Sequence, residues 1–201
     1  MAELLTVRDL TKHFTVKPGL NGKGGGTLHA VDGVSFSLSA GEAVGLVGES
    51  GCGKSTLGLC LLRLHDPDSG EILLKGEHLE GKTPKELLPY RREMQLIFQD
   101  PYSAMNPRET VLHAVAEPLR AFHMADRRES EEKAEAFLEY VGLGAEERRK
   151  YPHELSGGQR QRAVIARAMI CNPSFVVCDE PVSALDASIR AQVLKLMRRL
   201  Q

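Results

Sequence analysis

The run Gly48, Glu49, Ser50, Gly51, Cys52, Gly53, Lys54, Ser55 fits the pattern G-x-x-x-x-G-K-[ST], with Thr56 next in the chain. It follows an apolar stretch, Ala43–Val47, and opens a helical pattern, the strand–loop–helix context of a phosphate-binding loop. The chemistry follows from the residue types. Glycines let the backbone curl so that successive N–H groups point at phosphate oxygens. A helix N-terminus adds unpaired donors and a partial positive charge. Lys54 is expected to reach the β- and γ-phosphates, and the Ser55 hydroxyl to bind Mg²⁺. Kinases, GTPases and many ATPases share this loop.

Two further runs narrow the choice. Phe175–Asp179 is an apolar strand pattern ending in a carboxylate, suited to hold a Mg²⁺ shell, and Glu180 follows at once. A carboxylate there can orient and polarise an attacking water. Leu155-Ser156-Gly157-Gly158-Gln159 then leads into RQRAVIARAM. By itself S-x-x-Q reads as a capping box. Its glycines also leave backbone N–H groups bare at a helix start, a second anion site.

Together these runs resemble the ATP-binding subunits of ABC transporters, whose signature is LSGGQ. The resemblance implies that two chains pair head to tail and that each signature, Ser156 to Gln159, closes over the partner's γ-phosphate. It implies roles at other positions. Gln99 fits the Q-loop, whose amide reaches Mg²⁺ or the attacking water. Ser183–Asp186 fits the D-loop, which crosses the dimer interface. Phe14, with His13 as second candidate, fits the loop whose aromatic ring stacks on adenine, a contact of about 1–3 kcal/mol per base. Glu180, Lys54 and Gln99 are thus the expected catalytic residues. The metal ligands implied are Ser55, Gln99 and, through water, Asp179. The run Gln99–Arg108, followed by Glu117-Pro118-Leu119, resembles the peptide and nickel importer branch. That branch implies two ATPase subunits, identical or different, two membrane permeases and a substrate-binding protein. The location implied is peripheral, at the cytoplasmic face of the inner membrane.

The elements that must position these residues alternate between strand-like and helix-like patterns, so the expected class is α/β. Strands are expected at Leu4–Val7, Val34–Leu38, Ala43–Val47, Glu71–Leu74, Met94–Phe98 and Phe175–Cys178. Helices are expected at Lys54–Leu64, from Asp126 to about Tyr140, from Ser156 to about Ile170, and at Ile189–Leu200. The glycine-rich run 18–26 reads as a flexible loop. The resemblance implies a P-loop NTPase core with an N-terminal antiparallel β subdomain and an inserted helical lobe. The expected division is a core from 1–100 and 166–201 and a lobe from 101–165.

Composition sets outer bounds. The chain has 201 residues and a net charge of −1, which argues against a nucleic-acid partner. Four cysteines occur, none spaced C-x-x-C, which argues for free thiols in a reducing compartment and against a zinc site. No run approaches the length of a membrane span. The family's switch histidine lies beyond the D-loop helix, and no histidine follows Glu180, so the chain reads as incomplete at its C-terminus. Two alternatives accompany the transporter reading: a nucleotide-binding fragment that does not hydrolyse, and a soluble ABC ATPase of DNA repair or translation.

Overall fold

The computed structural model describes residues 3–17, 25–183 and 185–201. The expected loop at 18–26 lies outside the described residues up to Gly24. The chain divides into two compact units, Met1–Leu87 and Leu88–Gln201.

The first unit is built on a four-stranded sheet. Strands β1 (Glu3–Val16), β2 (Gly26–Ser39), β3 (Ser69–Leu74) and β4 (Glu77–His78) lie in the order β2-β1-β3-β4, with antiparallel neighbours. Leu5 and Val7 alternate onto the buried face, and Leu10 is buried too. Period-2 alternation would put residue 10 on the other side. A register shift between Val7 and Leu10 restores it, with Asp9 at φ 45° inside the irregularity. The Asp9 amide donates to Ser35 Oγ at 2.8 Å. Gly70, at φ +98°, passes so close that a Cβ would lie 2.6 Å from the Asp9 carbonyl oxygen, so only glycine fits. Ile72 and Leu74 of β3 stand opposite Val7 and Leu5 and complete the apolar stripe.

Helix α1 (Lys54–Leu61) follows the glycine-rich loop, and Leu57, Cys60 and Leu61 form its buried face. It stops three residues before the expected Leu64, where the chain turns with Arg63 at φ 53°. The larger departure is Ala43–Val47, expected as a buried strand. These residues join no ladder among the described residues, and Val44, Leu46 and Val47 are exposed, Val47 by 90%. An apolar run marks a strand only where neighbours supply hydrogen bonds and a covering layer.

The second unit begins with α2 (Leu88–Glu93) and holds a parallel pair, β5 (Met94–Ile97) and β6 (Phe175–Cys178), in the register Met94↔Phe175 to Ile97↔Cys178. The described residues of this unit also form α3 (Val111–Ala121), α4 (Arg127–Tyr140), α5 (Ala145–Arg149), a short 3-10 turn at Pro152–Glu154, α6 (Gly157–Met169) and α7 (Ala187–Leu200). Helix α6 buries side chains from Arg160 to Ala168 on several sides and is the centre of this unit's core, with Val115, Leu138, Ile97 and Val193 around it. Helix α4 buries only Ser130, Ala134 and Leu138, a stripe of spacing four. Its outer face carries Arg127–Glu131, Arg128–Glu132 and Lys133–Glu129 ion pairs, all i,i+4. The expected cap at Asp126 forms, its Oδ1 accepting from the Glu129 amide at 2.9 Å. Helix α3 falls within the stretch 101–165 expected as a helical lobe, and it carries Pro118 inside it. Pro118 sits in the last turn, Thr110 caps the start, and Val111, Val115 and Leu119 bury an i,i+4 stripe.

Candidate phosphate-binding loop, strand-end carboxylates and signature helix

In the first unit, residues 48–56 curl ahead of α1. Gly51 lies at φ +82° and Gly53 at +96°, and the Cys52 amide donates to the Glu49 carbonyl at 3.3 Å. Both glycines sit in the left-handed region that side-chain-bearing residues avoid. A Cβ on Gly53 would also run into the backbone carbonyl of Ala30, and one on Gly48 would lie 2.6 Å from Cys52 Sγ. Gly53 is the N-cap of α1, and no side chain caps that end. By the geometry of any helix start, first-turn amides such as those of Lys54 and Thr56 have no intrahelical acceptor. Lys54 folds back over the loop, its Nζ donating to the carbonyls of Gly48 at 2.8 Å and Glu49 at 2.7 Å. The ammonium therefore stands over the concave side of the loop, held by weak acceptors that a phosphate can outcompete.

Phe14 lies on β1 opposite Leu28, half-buried. Its ring meets His65 edge-on at 5.9 Å, and Lys12 Nζ stands 5.5 Å from its centroid. His13 is oriented differently. Its amide donates to Asp68 Oδ2 at 2.6 Å and its ring packs on His29. Asp68 also accepts from Lys12 at 2.8 Å. That hydrogen bond, with the one from the His13 amide, holds the Asp68 carboxyl below the usual carboxylate range.

In the second unit, parallel pairing brings two expected catalytic residues together. The ladder is continued by the Asp179 amide, which donates to the Ile97 carbonyl at 3.0 Å. Gln99 and Glu180 each stand two residues beyond the last paired position, Ile97↔Cys178. Gln99 Nε2 donates to Glu180 Oε2 at 2.9 Å. Carboxyl ends of parallel strands are where α/β sheets place their chemistry. Glu180 has φ 44°, a conformation uncommon for a side-chain-bearing residue, and its carboxylate is exposed. The Ser183 hydroxyl donates to the Glu180 carbonyl at 3.0 Å and closes the turn. Asp179 is half-buried.

The signature forms the capping box that S-x-x-Q predicts. Ser156 Oγ accepts from the Gln159 amide at 3.3 Å, and Gln159 Oε1 accepts from the Ser156 amide at 3.0 Å. Gln159 Nε2 also donates to Glu147 at 3.3 Å. Gly158 is pressed against α7, where a Cβ would lie 2.6 Å from Ile189, while Gly157 is exposed beside Leu185. Asp186 is the N-cap residue of α7, but its side chain makes no cap hydrogen bond.

One residue of this site was missed at the sequence level. Arg160 is 1% exposed, and its guanidinium donates to the carbonyls of Pro152 at 2.7 Å and Leu155 at 2.9 Å. Its Cζ lies 3.5 Å from the ring centroid of Tyr102, on the turn after Gln99. The turn is set by Asp100, whose Oδ1 accepts from the Tyr102 amide at 2.9 Å. Arg160 therefore ties the segment after Gln99 to the backbone just before the signature. The available signal was positional, because Arg160 falls on the i, i+3, i+4 stripe with Ala163 and Val164.

Comparisons with known proteins identify the family. A family model described as ABC transporter matches residues 31–183. The chain is 48% identical over 199 residues to the oligopeptide transport ATP-binding protein AppF of Bacillus subtilis, covering 98% of this chain and 60% of that protein. It is 46% identical over 201 residues to the di/tripeptide transport ATP-binding protein DppF of Pseudomonas aeruginosa, covering 62% of it. The chain thus spans about three-fifths of the length of these curated relatives. Among solved structures, the dimeric post-hydrolysis state of the ATP-binding cassette MJ0796 bound to ADP and Pi superposes with a TM-score of 0.85 at 28% identity, over 98% of this chain and 82% of that one. The family model over residues 31–183, the relatives matched over nearly the whole chain and the superposition on a solved cassette place it in the ABC transporter family as an ATP-binding cassette.

Proposed function

We propose that this chain binds and hydrolyses ATP as the motor of an importer for peptides or a related small solute. The observation that carries the reading is the Gln99–Glu180 hydrogen bond at 2.9 Å, which aims an exposed carboxylate from the end of a parallel strand. In this reading Lys54 and the amides of residues 48–56 hold the phosphates, and Phe14 is the adenine platform. Glu180 accepts a proton from the attacking water, and Gln99 fixes the carboxylate's direction. Ser55 in the first unit, and Gln99 and Asp179 in the second, offer hard oxygen donors of the kind that would hold Mg²⁺, and the ion would supply charge neutralisation for phosphoryl transfer.

The peptide class rests on the names of the relatives, which include oligopeptide, di/tripeptide and glutathione transport proteins. Those names also favour a transporter over a soluble repair or translation ATPase. The dimeric cassette among the solved structures supports pairing of two such chains. The signature at Ser156–Gln159 then closes over the partner's phosphate, with Asp186 near the shared face. Permeases and a substrate-binding protein complete the assembly, at the inner face of the membrane. No helix among the described residues is long and apolar enough to cross a membrane. The division into a core (1–100 and 166–201) and a helical lobe (101–165) belongs to the same reading.

The test is phosphate release with Mg-ATP by this chain and by Glu180→Gln. General-base loss is expected to slow release by about 10²–10⁴-fold while nucleotide binding persists. Equal release by the two proteins would remove Glu180 from the mechanism. Binding without release by either would reduce this chain to a nucleotide-binding fragment.

A further inference from the structure

A second constellation lies on the β1–β2 pair and plays no part in the phosphate chemistry. His13 and His29 are direct cross-strand partners. Their rings meet with centroids 3.9 Å apart, tilted by 47°. Asp32 completes the group, Oδ1 standing 3.9 Å from His13 Nε2 and Oδ2 3.7 Å from His29 Nδ1.

The third member is there because of a backbone irregularity. In a regular strand, residues 29 and 32 point to opposite faces. The register shifts between Lys12↔Val31 and His13↔His29, so two residues of β2 advance against one of β1. One extra residue reverses the parity of everything beyond it, and Asp32 turns to the side of His29. The backbone at His13 is pinned independently by the 2.6 Å bond from its amide to Asp68.

The polar atoms of the group are not all hydrogen-bonded. Separations of 3.7 and 3.9 Å exceed hydrogen-bond length. His13 Nε2 is buried and has no hydrogen-bond partner. One ligand atom from each of the three residues can be chosen so that all lie within 4.8 Å of one another. Ligands at about 2.1 Å from a tetrahedral ion stand about 3.4 Å apart, so small side-chain rotations would close the set around one cation. Two imidazoles and one carboxylate select the borderline divalent ions over Mg²⁺ or Ca²⁺. We propose that His13, His29 and Asp32 form a binding site for a divalent cation of the zinc class, with the remaining coordination positions open to water. Cysteine spacing, the basis for expecting no zinc site, does not bear on a histidine–aspartate set. The site neighbours Phe14, so a bound ion would cross-link β1 to β2 next to the ring assigned to adenine.

The experiment is Zn²⁺ uptake by the full 201-residue chain at neutral pH, in competition with a chromophoric chelator. One equivalent is expected to bind, and His29→Ala to weaken it at least tenfold. His29 and Asp32 are exposed, so Asp32→Asn serves as a second variant with an intact fold, and it is expected to weaken uptake as well. Cys52→Ser is expected to leave uptake unchanged, and Co²⁺ bound in place of Zn²⁺ to show no thiolate charge-transfer band. Three results would overturn the site: no uptake by the parent chain, equal uptake by His29→Ala and Asp32→Asn, or loss of uptake in Cys52→Ser.

Discussion

The two glycine-rich helix starts, at α1 and at α6, carry the same backbone dipoles and opposite local chemistry. At α1 the N-cap is Gly53, left-handed and without a capping side chain. At α6 the N-cap is Ser156, and the amides of Ser156 and Gln159 are both satisfied by the reciprocal box. An anion reaching α1 meets a helix end without a capping side chain, and a lysine already poised over the loop. An anion reaching α6 must compete with Ser156 Oγ for the Gln159 amide. The first end is the one proposed to hold phosphate with its own backbone and Lys54. The second is a stable cap that exposes Gly157 and a serine hydroxyl to whatever approaches from outside, as expected of a surface that completes another chain's site.

This contrast can be broken in order of effect. Gly53→Ala is the severest substitution, because φ +96° and the Ala30 carbonyl both oppose a Cβ. Strain of about 1–3 kcal/mol is expected from the backbone alone, and isothermal titration should show ATP binding weakened by more than tenfold. Binding that survives unchanged would mean that the loop's shape is not what holds the phosphates.

Arg160→Met comes next. It keeps most of the volume and orphans the carbonyls of Pro152 and Leu155, at about 1–3 kcal/mol for each buried acceptor. Chemical denaturation should show the loss, while ATP affinity, for which Lys54 and the loop at 48–56 are proposed, is expected to stay near the parent value. A large loss of affinity instead would show the two ends to be coupled.

Ser156→Ala removes one cap and is expected to cost about 1 kcal/mol of stability. Its effect on single-chain nucleotide binding should be negligible, and any effect on hydrolysis should appear only where two chains pair, measured as a change in the concentration dependence of turnover.

Thiol labelling gives the smallest perturbation. Cys52 lies exposed in the phosphate loop, whereas Cys171, two residues past α6, is buried. Burial pushes the Cys171 thiol up to about 11. Iodoacetamide at neutral pH should modify Cys52 first, more slowly with ATP present, and leave Cys171 untouched. Because the folded-state value is raised, Cys171 contributes stability that is complete below about pH 9 and is lost as pH rises toward 11. Cys171→Ala should flatten that alkaline decline in a pH series of melts.

Much of the site was legible because it is local. A phosphate loop is made by consecutive residues, and the left-handed glycines at 51 and 53 follow from residue type. A capping box needs only positions 156 and 159. The parallel strands at 94–97 and 175–178 announced themselves as apolar runs. Pattern failed where the outcome depends on distant chain. Ala43–Val47 has a strand's composition, yet no described strand pairs with it. Helix α3, inside the stretch expected as a helical lobe, holds Pro118 because burial of Val111, Val115 and Leu119 outweighs the proline's local cost of about 3 kcal/mol.

The sequence by itself determined the chemistry available to this protein: which side chains carry charge, where the backbone can curl, and which short segments cap themselves. Only the tertiary structure decided which of those groups meet. Gln99 and Glu180 are 81 positions apart and touch because two strands pair in one register. Arg160 reaches Tyr102 because α6 is buried on several sides. His29 and Asp32 share a face because one residue bulges from a strand. Such contacts depend on register, parity and burial, which many distant residues set together and no local window contains.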